Sequence, residues 1–273
     1  MSLKRHLLTA VIGCLLMLTR AGAWGQATAS ASLGGLVADK TGAVIPKAEV
    51  SITNKETGAT WQAQAQDAKT PYPSMAPLEQ YLMERNAEIA LARSAAPGSI
   101  SQDADVMVLG RHGYETAIQG KNGFVCMVER SWTSPIDDPE FWNPKGRAPI
   151  CLNAAAARSY LARTIKKTNL VLAGRTKAQM IETIAAAVDK GELPAMETGA
   201  MCYMLSKQGY LSDLAGHWHP HLMFFVSQTD PAAWAAGMPG SPIFAFNDTW
   251  EHLTIFLVPV RQWSDGTADF AAN

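Results

Sequence analysis

Gly216-His217-Trp218-His219-Pro220-His221 places three imidazoles at alternate positions, directly ahead of the apolar run Leu222-Met223-Phe224-Phe225-Val226. In an extended strand, side chains two residues apart share a face, so His217, His219 and His221 would project together, opposite Trp218 and Pro220. Neutral imidazole is a good ligand for zinc and similar divalent transition metals, so the cluster is a candidate metal site. The outer α-carbons of such a strand stand roughly 13 Å apart. One outer histidine must therefore bend inward, helped by Pro220, or give way to a distant ligand. His112 and Glu251 are candidates for that place, as are His252, Glu197 and Asp213. With metal bound, Glu197 or Glu251 would serve as general base in a zinc-type hydrolysis. The competing reading leaves the imidazoles bonded to backbone or on the surface, and the chain without catalysis.

Nucleophile motifs are poor. The chain contains no Gly-x-Ser-x-Gly elbow and no Cys-x-x-Cys. Tyr203 and Lys207 have the Tyr-x-x-x-Lys spacing of short-chain dehydrogenases, yet no glycine-rich strand-to-helix turn precedes them. Ser206 and Cys202 read as core and turn residues. Trp132, Trp142, Trp218, Trp234, Trp250 and Trp263 lie among prolines, glycines and polar residues, where they either line a sugar or apolar-ligand groove or cover a core. Trp218, Trp263 and Asp265 are the candidate binding residues, with Asp265 also able to cap the turn Trp263-Ser264-Asp265-Gly266-Thr267.

The elements that must position these residues begin after a leader. Lys4 and Arg5 precede an apolar run from Leu7 to Leu18, and small residues follow at Ala21-Gly22-Ala23 and Gly25-Gln26-Ala27. Residues 1–27 read as a secretory signal peptide, which places the mature chain in the periplasm or outside the cell. A retained anchor and a lipoprotein acylated at Cys14 are the alternatives. No second apolar run is long enough to cross a membrane. The net charge of −1, with no basic stripe, argues against a nucleic-acid partner. With the leader removed, Cys126, Cys151 and Cys202 remain; two can pair in an oxidising compartment, or all can stay reduced and buried.

Residues 32–67 read as strand, turn, strand, turn, strand. The pieces Gly35-Leu36-Val37-Ala38-Asp39, Thr41-Gly42-Ala43-Val44-Ile45-Pro46, Ala48-Glu49-Val50-Ser51-Ile52-Thr53-Asn54 and Glu56-Thr57-Gly58-Ala59-Thr60 resemble the start of the carboxypeptidase regulatory-like domain. That resemblance covers the first half of a β-sandwich in the carbohydrate-binding-like fold class. It implies a partial sandwich and a possible carbohydrate or envelope-protein partner. Residues 68–76, with Pro71 and Pro73, form a linker.

Residues 77–268 read as an α+β main domain with an antiparallel sheet and two or three helices. An amphipathic helix is expected from Leu78 to Ala95, a strand over Ala104–Leu109, and a hairpin joining Tyr114–Ile118 to Phe124–Val128 through Gly120-Lys121-Asn122-Gly123. Helices follow at Ala154–Lys166 and Thr176–Lys190, the second opened by a Thr176/Gln179 capping box. Ala200–Leu205, Leu222–Val226 and Leu253–Val260 read as strands. Through EFWNP, GHWHPHLMFF, PGSP and WSDGT, this region resembles an uncharacterised family of exported bacterial proteins. The expected function is an exported envelope binding or accessory protein, with carbohydrate as one candidate ligand; the alternative is a metal-dependent hydrolase built on the histidine cluster.

Overall fold

The computed structural model describes residues 48–55, 57–64, 71–213 and 218–269. They fall into two compact units divided between Ala65 and Gln66. The leader and the strand expected at Leu36–Ala38 lie outside the described residues.

The first unit contributes a hairpin, β1 (Glu49–Thr53) against β2 (Thr60–Gln64), in register from Glu49↔Gln64 to Thr53↔Thr60. Asn54 accepts from the Thr57 amide at 3.0 Å, and Gly58 turns the chain at φ +69°, which a side chain would resist. Both strands fall where the alternation of polar and apolar residues placed them.

The second unit is α+β. After a 3-10 turn at Leu78–Gln80 come α1 (Arg85–Arg93), α2 (Gly98–Ser101), β3 (Asp105–Gly110), β4 (Gly113–Ile118), β5 (Val125–Glu129) and β6 (Ala148–Leu152). Three helices follow: α3 (Ala154–Ser159), α4 (Leu161–Leu172) and α5 (Lys177–Asp189). The chain closes with β7 (Met201–Met204), β8 (His221–Ser227), β9 (Phe244–Asp248) and β10 (Leu253–Pro259). The eight strands form one sheet in the order β4-β3-β5-β6-β7-β8-β10-β9. Every neighbouring pair is antiparallel except β3 and β5, which run parallel through Asp105↔Val125 and Val106↔Cys126.

That parallel pair corrects the expected hairpin. β4 turns back on β3 through Arg111 and His112, and the Gly120–Gly123 loop does not join β4 to β5 as neighbours. The loop docks across the start of β3, with Gly120 donating to Asp105 Oδ1 at 2.6 Å and Lys121 to the Asp103 carbonyl at 2.7 Å. A Cβ on Gly120 would stand 2.2 Å from that carbonyl, so only glycine lets the backbones approach this closely. β5 consequently enters on the far side of β3. The first expected helix also divides: Tyr81 is drawn inward, donating its hydroxyl to the Trp142 carbonyl at 2.7 Å, and the Glu84 side chain caps a separate helix by accepting from Ala87.

Both faces of the sheet centre are covered, which explains why all five residues of β5 are buried. One face packs Val106, Cys126, Val128 and Cys151 with Leu91, Ala92 and Ala95. The other packs Met127, Ile150, Leu152 and Cys202 with Ala156, Tyr160 and Phe225. Cys126 and Cys151 are cross-strand neighbours and form a disulfide. Cys202 pairs with Leu152, which turns its thiol to the opposite face, and burial holds that thiol well above the ordinary range. The Thr176/Gln179 capping box opens α5 as its sequence specifies.

Candidate functional site

The histidine segment sits at the entrance to β8. Among the described residues no group of three His, Cys, Asp or Glu side chains is arranged to hold a metal ion, and His217 lies outside those residues. His221 is buried, places Nδ1 at 2.7 Å from the His219 carbonyl, and is held below its usual pKa first by burial. His219 is half-exposed, with Nδ1 2.7 Å from the carboxylate of the buried Asp269. The distant candidates do not join them. His112 occupies the β3–β4 turn, four strands from β8, or on the order of 19 Å across the sheet. Glu251 is engaged by Lys167, Glu197 by Arg158 at 2.7 Å, and His252 stands 3.8 Å from Asp189.

The candidate binding residues behave differently from one another. Trp218 is buried, donates to the Ser206 carbonyl at 3.0 Å and covers Gly209, where a Cβ would come within 2.4 Å of the indole. Trp263 is buried in the same core. Asp265 is exposed and caps its turn, accepting from the Thr267 amide at 3.0 Å; the Lys207 ammonium at 2.7 Å is the first cause of its lowered pKa. Ser206 shares a 2.6 Å hydrogen bond with Ser94 and accepts from the Gln208 amide, so no base stands beside it among those contacts.

Two arrangements were not foreseen. The first is an enclosed charge cluster beneath α4. Arg163 and Lys167, one turn apart on α4, face Glu251 in the β9–β10 turn and Asp248 at the end of β9. Lys167 makes an ion pair with Glu251 Oε1 and lies 3.9 Å from Asp248; burial opposes its charge, but Glu251 and Asp248 outweigh burial and its pKa is raised. Glu129, at the end of β5, accepts from Thr164 at 2.8 Å and Thr133 at 3.3 Å. Two cations balance the two carboxylates Asp248 and Glu251, which leaves Glu129 without a counter-charge of its own. Burial accordingly lifts its pKa to about 7. The cluster is closed to solvent, with Glu129, Arg163, Lys167 and Glu251 all buried, so it fixes α4 to the sheet rather than meeting a ligand.

The second arrangement is an open cleft of about 490 Å³ between residues 72–75 and the α4–α5 turn. Tyr72, Met75, Trp142 and Val171 make its apolar walls, and Arg175 and Lys177 stand at its rim where α5 begins. Tyr72 is held by donating its hydroxyl to Asp213, which Lys145 also binds at 2.9 Å and Tyr210 contacts through its own hydroxyl. Lys177 rests 4.7 Å from the centre of the Phe141 ring and donates to the Asp138 carbonyl at 3.2 Å. Burial is the first cause of its lowered pKa. Arg175 is exposed and has no ion-pair partner among the described residues. Trp142 was among the loop tryptophans singled out by the sequence; Arg175 and Lys177 were not, because basic residues at a helix start carry no distinguishing pattern.

Comparison with known proteins gives no match: no family model, no curated protein and no solved structure aligns with the chain.

Proposed function

We propose that the chain is an exported, non-catalytic binding protein of the bacterial envelope, and that its cleft takes a saccharide bearing carboxylate groups. The observation that carries this reading is the combination of Tyr72 and Trp142 with the exposed Arg175 and with Lys177 around one cleft. Aromatic walls suit the apolar faces of sugar rings, while convergent cations fix an anionic substituent; the volume lies within the usual range for ligand sites. The Cys126–Cys151 disulfide suits an oxidising compartment and supports export. The resemblance of residues 32–67 to a domain of the carbohydrate-binding-like class supports the same ligand chemistry. Arg175→Ala is expected to weaken binding of a uronic-acid oligosaccharide about tenfold, the order of one charge-assisted hydrogen bond. Its unfolding midpoint should stay unchanged, because Arg175 is exposed and makes no ion pair among the described residues. Equal affinities of variant and wild type in a calorimetric titration would remove the cleft from the account.

One observation favours a second reading, a metal-dependent hydrolase. A carboxylate on Nδ1, as Asp269 is on His219, is the outer-shell arrangement that orients a ligating histidine. That reading expects stoichiometric metal in protein purified without a histidine tag, and its loss in His219→Ala. It further expects the metal to stabilise the fold, since an ion bound only by the folded state adds its binding free energy. Metal-free protein whose melting is indifferent to chelator overturns it.

A further inference from the structure

The two edges of the sheet are treated differently. β4 exposes Glu115 and Thr116, and Glu115 pairs with Arg85, the polar protection expected of an edge strand in a monomer. β9 has no such protection. Its Phe244 and Phe246 are 53% and 52% exposed; Met238 and Trp250 are exposed in the segments that flank it in sequence, and the exposed Trp234 stacks on Phe256 on the opposite face. The one charged residue of β9, Asp248, is turned inward toward Lys167. Among the described residues no strand pairs with the outer side of β9, and an aromatic edge of this kind is a template for a further strand.

We propose that a second copy of this chain supplies that strand, by antiparallel pairing of β9 with β9 about a two-fold axis through Ala245. Two features favour self-association. The first is register. With Ala245 on the axis, Phe244 stands opposite the partner's Phe246, and the symmetric pair repeats on the other side. Such cross-strand aromatic pairs stabilise a sheet, and the small alanine avoids crowding where the two chains cross. Phe244 and Phe246 lie opposite Leu257 and Ile255 of β10, so the paired rings extend an apolar row already present on that face. The second feature is area. A large apolar side chain buries about 150–250 Å², so Phe244, Phe246 and the flanking Met238 and Trp250 offer about 100 Å² each, or about 400 Å² per copy. Two copies then remove about 800 Å² of side-chain surface from water, to which the paired backbones add, against the roughly 1,000 Å² that a biological interface clears.

Light scattering on the purified full-length protein tests the assembly. A dimer at micromolar chain concentration is expected, with Phe244→Lys/Phe246→Lys converting it to a monomer that keeps the wild-type circular dichroism. Ala245→Cys tests the axis independently of folding losses: it should form an interchain disulfide on a non-reducing gel, while Thr249→Cys, beyond the paired register, should not. A wild-type protein that remains monomeric overturns the proposal and leaves the edge to an extended peptide of a different protein. A dimer that survives both lysines, or cross-linking at Thr249 in place of Ala245, overturns it equally.

Discussion

Arg130→Ala is expected to lower the free energy of unfolding by about 3–5 kcal/mol, the largest effect of any single polar substitution in the main domain. The Arg130 side chain is 0% exposed and its partner Glu88 1% exposed, with 2.8 Å between Nη2 and Oε1. Arg130 also donates through Nε to the Tyr81 carbonyl at 2.7 Å and through Nη1 to the Val128 carbonyl. Glu88 accepts in addition from the Leu109 amide at 3.1 Å. One residue thus ties the segment before α1, the helix itself, and strands β3 and β5. Truncating it leaves a buried carboxylate without a cation and removes the Tyr81 carbonyl's donor, while the Val128 carbonyl keeps the Tyr114 hydroxyl at 2.7 Å. The loss reports the penalty of those orphaned groups more than the net worth of the pair. A double-mutant cycle with Glu88→Gln should accordingly give a coupling of about 1–3 kcal/mol. Urea unfolding midpoints measure both quantities, and a loss under about 1 kcal/mol for Arg130→Ala would mean that water reaches the pair.

Glu129→Gln is expected to stabilise the protein at pH 8 by about 3 kcal/mol and to leave it nearly unchanged at pH 4.5. Burial lifts the folded-state pKa of Glu129 from 4.5 to about 7. Between those values the folded protein holds a proton that the unfolded chain has released. Stability from this group is therefore complete below pH 4.5 and declines as pH rises toward 7. Glutamine keeps an acceptor for Thr164 Oγ1 and has no proton to lose, so its curve lacks that decline. Subtracting the two stability curves cancels the contributions of all other groups to first order. Parallel curves from pH 4.5 to 8 would show that Glu129 is charged without penalty, and the charge balance assigned to the cluster would be wrong.

The sequence was most legible where one physical signal dominated. The Thr176/Gln179 box marked the start of α5 because both halves of the reciprocal cap are local. β7, β8 and β10 were visible as apolar runs of strand length. β6 was missed because Pro149 sits inside it, and β9 because Phe244-Ala245-Phe246 is short and follows a Gly-Pro-rich loop. The β3–β5 pairing was unreadable in principle: Gly120-Lys121-Asn122-Gly123 has hairpin chemistry, and only its docking on Asp103 and Asp105 sends β5 to the other side of β3. Ala154–Lys166 reads as one helix in the sequence, whereas the structure divides it at Tyr160, whose ring stacks on Phe225 at 3.8 Å. The charge cluster hid behind an ordinary-looking polar helix. Its one trace was the pair Arg163 and Lys167, spaced i, i+4 with no acid one turn away on the same helix. Trp218 and Trp263, selected as binding residues for their loop settings, are core residues because their neighbours fold over them.

Binding of an acidic saccharide in the cleft formed by Tyr72, Trp142, Arg175 and Lys177 is open to one paired titration. Tryptophan fluorescence and calorimetry are followed as the protein is titrated with a uronic-acid oligosaccharide, then with the same oligosaccharide after reduction of its carboxylates to alcohols. Saturable one-to-one binding of the acidic form is expected, weakening as salt rises, since the rim cations are open to screening. The reduced form should bind at least about tenfold more weakly, because it offers nothing for Arg175 to pair with. Equal affinity for the two forms, or no saturable binding of either, would contradict it.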